Sequence, residues 1–287
     1  MKQVTIFGAF GQVGTDLSKQ FEYNHWKVNK VSHNQVSIEN YLQVKSYLED
    51  NPTDLIINAA AFHRVEKCEV EIAKSWMINT HGSSNLAMMA EAIKAKYVFL
   101  SSDYVFDGFK GSPYKEIDSV SPINVYGATK AAAENTILSI SGSNLIARVS
   151  SVFGSHGNSS KGMNFVDKII LMAKKKESLI ITNELIMSPS YSVDISKKIF
   201  ELVNLDGSGI FHLCNEGSTS WFNFAIEICS QLNISIEIKN GEEQNSSGVR
   251  RPLNSSLCTC KAKSLKLPQR KWQEALNSYL VEKGYLK

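Results

Sequence analysis

Residues 4–14 read VTIFGAFGQVG. Val4-Thr5-Ile6-Phe7 is a short apolar, β-branched run that ends in Gly8, Gly11 and Gly14, after which Leu17 and Phe21 recur at helical spacing. A strand, a glycine-rich turn and a helix make the first part of a βαβ unit. The glycines have separate tasks. One permits the tight turn, one lets backbone N–H groups approach a pyrophosphate, and one lets the helix pack closely on the strand. The helix N-terminus then offers partial positive charge to the phosphates. A glycine triplet by itself is weak evidence, but one that opens a strand–turn–helix unit points to a bound dinucleotide.

Outward from this turn the pattern repeats. Lys27–Val31 is expected as the second strand, Val36–Asp50 as a helix with Tyr41, Leu42, Val44, Tyr47 and Leu48 at helical spacing, and Asp54–Ala61 as a buried third strand ending in small residues. A helix from about Glu71 to Ala95 holds Asn79, and Tyr97–Leu100 is a fourth strand. Alternating strands and helices predict a parallel, doubly wound α/β sheet of Rossmann type, with ligands at the carboxyl ends of its strands. In such folds an acidic residue about 20 positions beyond the glycine motif bonds the adenosine ribose of NAD. Between Lys27 and Ile38 there is no carboxylate, and Lys30, Ser32 and His33 stand there instead. A phosphate on that ribose would be well received, which favours NADP(H) and leaves NADH as the alternative.

The fourth strand delivers Ser101, Ser102 and Asp103, and a helix entered through Ser121-Pro122 carries Tyr126 and Lys130 four residues apart, on one face. A phenol beside an ammonium has its phenolate favoured and can exchange a proton near neutral pH. The Ser102 hydroxyl can hydrogen-bond the same substrate oxygen that Tyr126 protonates.

Further on, Ile146–Val149, Leu179–Thr182 and Ile210–Leu213 read as strands. Asn164–Lys175, Trp221–Leu232 and Trp272–Leu280 read as helices, with a Gly/Ser/Asn loop over Gly154–Gly162. The expected division is a dinucleotide-binding domain over 1–150 with later returns near 179–213, and a smaller mixed α/β substrate-binding lobe formed mainly by 151–178 and 214–287.

Composition excludes several classes. With 31 basic and 28 acidic residues the formal charge is +3. No basic stripe suits a nucleic acid, and Lys174-Lys175-Lys176 reads as a solvated helix end. No apolar run approaches the ~20 residues a membrane span needs, and no signal peptide precedes the first strand, so a cytoplasmic protein is expected. Five scattered cysteines suit reduced thiols, and Cys258-Thr-Cys260 has the wrong spacing for a zinc knuckle. No metal motif is present.

Together FGAFGQVG (7–14), INAAA (57–61), SSDYVFDG (101–108), SPINVYGATKAAAE (121–134), FHLCNEG (211–217) and RPLNSSL (251–257) resemble the extended short-chain dehydrogenase/reductases, in particular the dTDP-4-dehydrorhamnose reductase family. The resemblance implies an NAD(P)H-dependent reductase of the keto group, at C4, of a nucleotide-diphospho-deoxysugar, serving activated deoxysugar synthesis for surface polysaccharide. Its catalytic set would be Ser102, Tyr126 and Lys130, Ser102 standing for the usual threonine. Its cofactor set would be Gly8, Phe10, Gly11, Gln12, Val13, Gly14, Ser32, His33, Ser37, Ala59, Ala60, Ala61 and Asn79 with Tyr126 and Lys130. Its substrate set would be Ser102, Asp103, Tyr126, Phe153, Arg251 and Asn254. A homodimer is left open.

Departures concern the sugar pocket. Ser150-Ser151-Val152-Phe153 lacks the aromatic residue of the family's SWVY segment, Glu184–Ser190 keeps the acidic position of its stretch but not the Gln, Gly and Thr, and His63 and Arg64 are unusual at the crevice mouth. A substrate other than dTDP-4-dehydrorhamnose is therefore open. So are an epimerase/reductase using His63 or Cys68 as an extra acid/base, and a non-catalytic regulatory subunit of the same fold.

Overall fold

The computed structural model describes residues 1–156, 163–175, 178–241 and 248–286. Parts of the Gly154–Gly162 loop and of the Lys174–Lys176 run lie outside the described residues.

The first half alternates as expected: β1 (Gln3–Phe7), α1 (Gln12–Tyr23), β2 (Lys27–Val31), α2 (Tyr41–Asp50) and β3 (Leu55–Asn58). In place of one helix over 71–95 the chain forms α3 (Val65–Val70), α4 (Ile72–Trp76), a π-helical turn (Met77–Gly82) and α5 (Ser83–Ala92). Then come β4 (Lys96–Ser102), a 3₁₀ turn (Asp103–Val105), α6 (Val125–Ile140) and β5 (Leu145–Val149).

The main sheet has six strands in the order β10-β5-β4-β3-β1-β2, where β10 is Gly209–His212, and all its pairings are parallel. Strand alternation divides the core between its faces. Val4, Ile6, Leu55, Ile57, Val98 and Leu100 pack with Leu17 and Phe21 of α1 and with Ile195, Ile199 and Leu202 of the helix Ser192–Asn204. Phe7, Ile56, Tyr97 and Phe99 pack the other way, against Val44 and Leu48 of α2, Leu86 and Ala90 of α5 and Ile137 of α6. Burial on both faces explains why these strands read as continuous apolar runs. Because β2 and β3 flank β1, the connections reverse direction there and open a crevice at the carboxyl ends.

The lobe has its own core, in which Phe153, Val166, Ile169, Phe224, Ile228, Trp272, Leu276 and Tyr279 meet. It comprises β6 (Val152–Phe153), α7 (Phe165–Lys174), β7 (Leu179–Thr182), β8 (Ile186–Met187) and β9 (Ser190–Tyr191). After α8 (Ser192–Asn204) and β10 have joined the main sheet, β11 (Thr219–Ser220), α9 (Trp221–Gln231) and β12 (Ile238–Gly241) return to the lobe, followed by α10 (Cys260–Ser264) and α11 (Trp272–Glu282). Leu179–Thr182 pairs in parallel with Ile238–Gly241, apart from the main sheet. The chain's return to that sheet is made by α8 and β10.

The reduced-thiol expectation is corrected at one place. Cys258 and Cys260 are joined as a disulfide with Cα atoms 5.5 Å apart, and Cys68, Cys214 and Cys229 are free and buried. Among the described residues no helix is long and apolar enough to cross a membrane.

Candidate active site

At the carboxyl ends of the main strands a crevice of about 770 Å³ opens between the sheet and the lobe. Its volume is in the usual range for a small-molecule site.

One wall is the glycine turn. Gly8 has φ +77°, in the left-handed region that glycine adopts freely. A Cβ on Gly14 would stand 2.1 Å from the Gly8 carbonyl oxygen, so α1 lies on the turn at a distance no side chain allows. Gly11 is the N-cap of α1 and no side chain caps that end. Its first N–H groups therefore point into the crevice with the positive end of the helix dipole behind them. The crevice residues Gln12 and Ser101 also keep buried polar atoms, Nε2 and Oγ, without a hydrogen-bond partner. An uncapped helix end, backbone approachable at Gly11, and unpaired polar atoms together fit a dinucleotide phosphate.

Ala59, Ala60, Ala61 and Phe62 form the adjoining wall. The third strand ends at Asn58, earlier than expected, because the Asn58 side chain turns the chain by accepting from the Ala60 N–H at 3.0 Å. Ser32 and His33 line the end beyond β2, where Ser32 donates to Gln35 at 2.9 Å.

Ser102, Tyr126 and Lys130 line the same crevice. Tyr126 is placed by two features of NVYG. Asn124 caps α6 by accepting from the Gly127 N–H at 2.8 Å, and Gly127 lies so close to the 3₁₀ turn that a Cβ would fall 2.0 Å from the Tyr104 carbonyl oxygen. The Tyr104 and Tyr126 rings meet edge to face, 6.0 Å apart.

The electrostatics differ from the expectation. Lys130 is buried and donates to the Leu100 carbonyl at 2.6 Å. Burial holds its ammonium down to about 7, against the opposing pull of Glu134. Burial likewise pushes the Tyr126 phenol above its ordinary value, with the Ser102 hydroxyl acting the other way. In this arrangement desolvation outweighs any sharpening of the phenol by its neighbours. Asp103 is buried beside them and accepts from Ser102 at 3.0 Å, Ser150 at 2.7 Å and Ser255 at 2.6 Å. Burial raises its carboxyl above the usual range, the three hydroxyls opposing.

Several expected residues lie elsewhere. Phe153 is corrected out of the crevice: it is buried in the lobe core, stacked on Tyr191 at 5.5 Å. Phe10 is 61% exposed and is not part of the lining. Ser37 sits between the lining residues Val36 and Ile38, its N–H bonded to Gln43. Asn79 is fully buried behind the crevice, its amide engaged by Phe62 and Thr129. Arg251 is paired with Glu66, and Asn254 accepts from Ser256 at 2.6 Å. Cys68 donates to the Phe62 carbonyl and burial pushes its thiol up, which suits packing rather than proton transfer. His63 does line the crevice.

Sequence reasoning missed the lobe wall of Met163, Asn164, Phe165 and Trp221, where the Phe165 and Trp221 rings meet at 4.6 Å. Both aromatic residues begin helices capped by the preceding residue, Asn164 and Ser220, and that signal was available.

A family model described as RmlD substrate binding domain matches residues 1–284. The chain is 32% identical over 285 residues to the spore coat polysaccharide biosynthesis protein SpsK of Bacillus subtilis (strain 168), covering 99% of each chain. It is 31% identical to a dTDP-4-dehydrorhamnose reductase of Aggregatibacter actinomycetemcomitans, over 97% of this chain and 98% of that protein. Among solved structures, the dTDP-4-dehydrorhamnose reductase of Bacillus anthracis str. Ames in complex with NADP superposes with a TM-score of 0.93 at 30% identity, covering 98% of this chain and 100% of that one.

Proposed function

Because the chain belongs to the RmlD substrate binding domain family of dTDP-4-dehydrorhamnose reductase-like proteins, we propose that it is an NADPH-dependent reductase of the C4 ketone of a nucleotide-diphospho-6-deoxysugar, working in deoxysugar synthesis for a surface polysaccharide. The single observation that carries this reading is that Ser102, Tyr126 and Lys130 line one crevice with the uncapped glycine turn. The reading includes a cytoplasmic location.

NADPH, when bound, supplies the hydride that adds to the ketone carbon. The chain's residues do the rest. Gly11, Gln12 and Val13 hold the pyrophosphate by backbone N–H groups at the start of α1, and Ser32 and His33 receive the ribose phosphate. Ala59, Ala60 and Ala61 leave room for the nicotinamide end. Tyr126 gives its proton to the ketone oxygen as negative charge grows there. Burial keeps the phenol protonated and makes it a weaker acid in the free protein, so its proton moves only as charge develops on the ketone oxygen. Lys130, which donates to the Leu100 carbonyl, would offer its other N–H groups to the nicotinamide ribose. Ser102 donates to Asp103, so its hydroxyl would have to turn from that carboxylate to support the developing alkoxide. On the lobe side, Phe165 and Trp221 offer aromatic faces to the nucleotide.

The test is loss of NADPH absorbance with dTDP-4-dehydrorhamnose and a panel of other 4-keto sugar nucleotides, with the product identified by NMR. Turnover in deuterated water without exchange at C3 or C5 is expected. Failure to oxidise NADPH with every member of the panel would remove the reading.

A further inference from the structure

The reaction above leaves the Cys258–Cys260 disulfide and a second cavity unused. That cavity, of about 460 Å³, shares no lining residue with the crevice. Cys260 stands in its wall with Lys115, Glu116 and Lys261, beside the apolar Leu138 of α6 and Ile210 of β10.

A bridge between residues two apart closes a loop too short to restrain the unfolded chain much, because the entropy removed grows with loop length. The backbone at Cys258 is also held without it. Its N–H donates to the Tyr114 carbonyl at 2.7 Å, and its carbonyl accepts from His212 Nδ1 at 3.1 Å. Stapling therefore explains little of the pair, and reactivity explains more. The two sulfurs are unequal: Cys260 is exposed and Cys258 is half-buried. The Cys260 N–H donates to Cys258 Sγ at 3.3 Å, which favours negative charge on that sulfur. An attacking thiolate meets Cys260 first and finds in Cys258 a leaving group already partly stabilised. Exposed disulfides of this kind are the exchanging ones.

The wall selects the thiol. Lys115 is exposed, and Lys261 donates one of its three N–H groups to the Ile210 carbonyl at 2.7 Å. Burial lowers the Lys261 ammonium from its ordinary range and Glu116 raises it, so Lys115 is the steadier cation. Glu116 is itself committed, accepting from the His212 N–H at 3.1 Å. The balance favours a thiol that carries carboxylates.

We propose that Cys258–Cys260 is a thiol-exchange site which captures a carboxylate-bearing low-molecular-weight thiol at Cys260. The thiolate attacks Cys260 Sγ and forms a new S–S bond. The Cys258–Cys260 bond breaks with its electron pair left on Cys258, which takes a proton from water. A second thiolate then attacks the captured sulfur, leaving a disulfide of the small thiol and, once Cys260 is protonated, the protein dithiol. Two small thiols are oxidised and the protein disulfide is reduced by two electrons.

Glutathione, which is anionic, and cysteamine, which is cationic, are the probes. Protein purified without reductant should resist iodoacetamide, because Cys68, Cys214 and Cys229 are buried and the other two cysteines are bonded. After brief exposure to glutathione and an iodoacetamide quench, peptide mass spectrometry should place glutathione on Cys260 and the alkylated thiol on Cys258. In Cys258→Ser the capture cannot reverse internally, and glutathione disulfide should add one glutathione at Cys260. Replacing Lys115 and Lys261 together by Gln should slow capture of glutathione about tenfold, the low end of electrostatic acceleration, without slowing that of cysteamine. None of these readouts needs turnover, so they stand apart from the reductase reading. Free thiols at 258 and 260 in the untreated protein overturn the proposal, as do glutathione on Cys258 and an undiminished glutathione rate in the lysine variant.

Discussion

The ammonium of Lys130 donates to the carbonyl of Leu100 at 2.6 Å and lies 3.9 Å from the centroid of the Phe99 ring. Helix α6 and strand β4 are therefore joined by a charged group in an environment that disfavours charge. The consequences follow from its pKa of about 7, against an unfolded value near 10.4. The unfolded chain holds this proton more tightly. The cost of burying it is full below about pH 7 and is relieved as pH rises toward about 10. Lys130→Met should be more stable than wild type at pH 6, and the difference in thermal midpoint should close as pH rises, while turnover is lost at every pH.

Tyr126→Phe removes the proton donor and leaves the glycine turn intact. Its kcat should drop roughly 100- to 10,000-fold, the usual contribution of a positioned acid, with NADPH affinity measured by fluorescence titration nearly unchanged. Full turnover in the folded variant would exclude Tyr126 as the acid.

The glycine turn separates folding from binding. A Cβ on Gly14 collides with backbone at 2.1 Å, whereas one on Gly11 has its nearest neighbour, the Gly8 oxygen, at 3.4 Å. Gly14→Ala should lower the thermal midpoint and weaken NADPH binding together. Gly11→Ala should keep its midpoint and lose about tenfold or more in NADPH affinity by calorimetry, because only the phosphate's approach is obstructed.

These contrasts mark what sequence reading reaches. β2 and β7 were expected at their observed bounds, and the buried runs of β1, β3 and β4 were recognised, because continuous apolar segments between turn signals have few alternatives. The helix over 71–95 was expected unbroken, since nothing in Met77–Gly82 announces a π turn; it is imposed by the partners of Asn79 and Thr80 on α6. That Tyr126 and Lys130 share one helix face was legible as spacing. The direction of their pKa shifts was not, because desolvation depends on burial that only tertiary packing sets. Phe153 was expected beside substrate from its place in a motif, yet the lobe core took it, and Phe165 and Trp221 line the crevice from elements far apart in sequence.

The end of the crevice beyond β2 should decide between cofactors. Ser32 and His33 line it without a carboxylate. Ser32→Asp would place a negative charge where a ribose phosphate sits and an acceptor where a ribose hydroxyl sits. The ratio of kcat/KM for NADPH over NADH should fall by about tenfold or more, an effect of one close like-charge contact.

Asp103 joins three segments through its carboxylate: Ser102 at the end of β4, Ser150 after β5 and Ser255 in the tail. Asp103→Ala strands three hydroxyls at once and should cost about 3 kcal/mol in urea denaturation, while Asp103→Asn, which keeps one acceptor oxygen, should cost about 1 kcal/mol. The pH dependence of this gap follows from burial, which raises the carboxyl above its ordinary value of 3.8. The folded protein then binds the proton more tightly than the unfolded chain, so this group's contribution is greatest in acid and declines as pH rises from the unfolded value through the folded one. Asn does not titrate. The stability advantage of wild type over Asp103→Asn should therefore be larger at pH 4 than at pH 7, and an advantage that grows toward neutral pH would mean that the three hydroxyl bonds outweigh desolvation at this site.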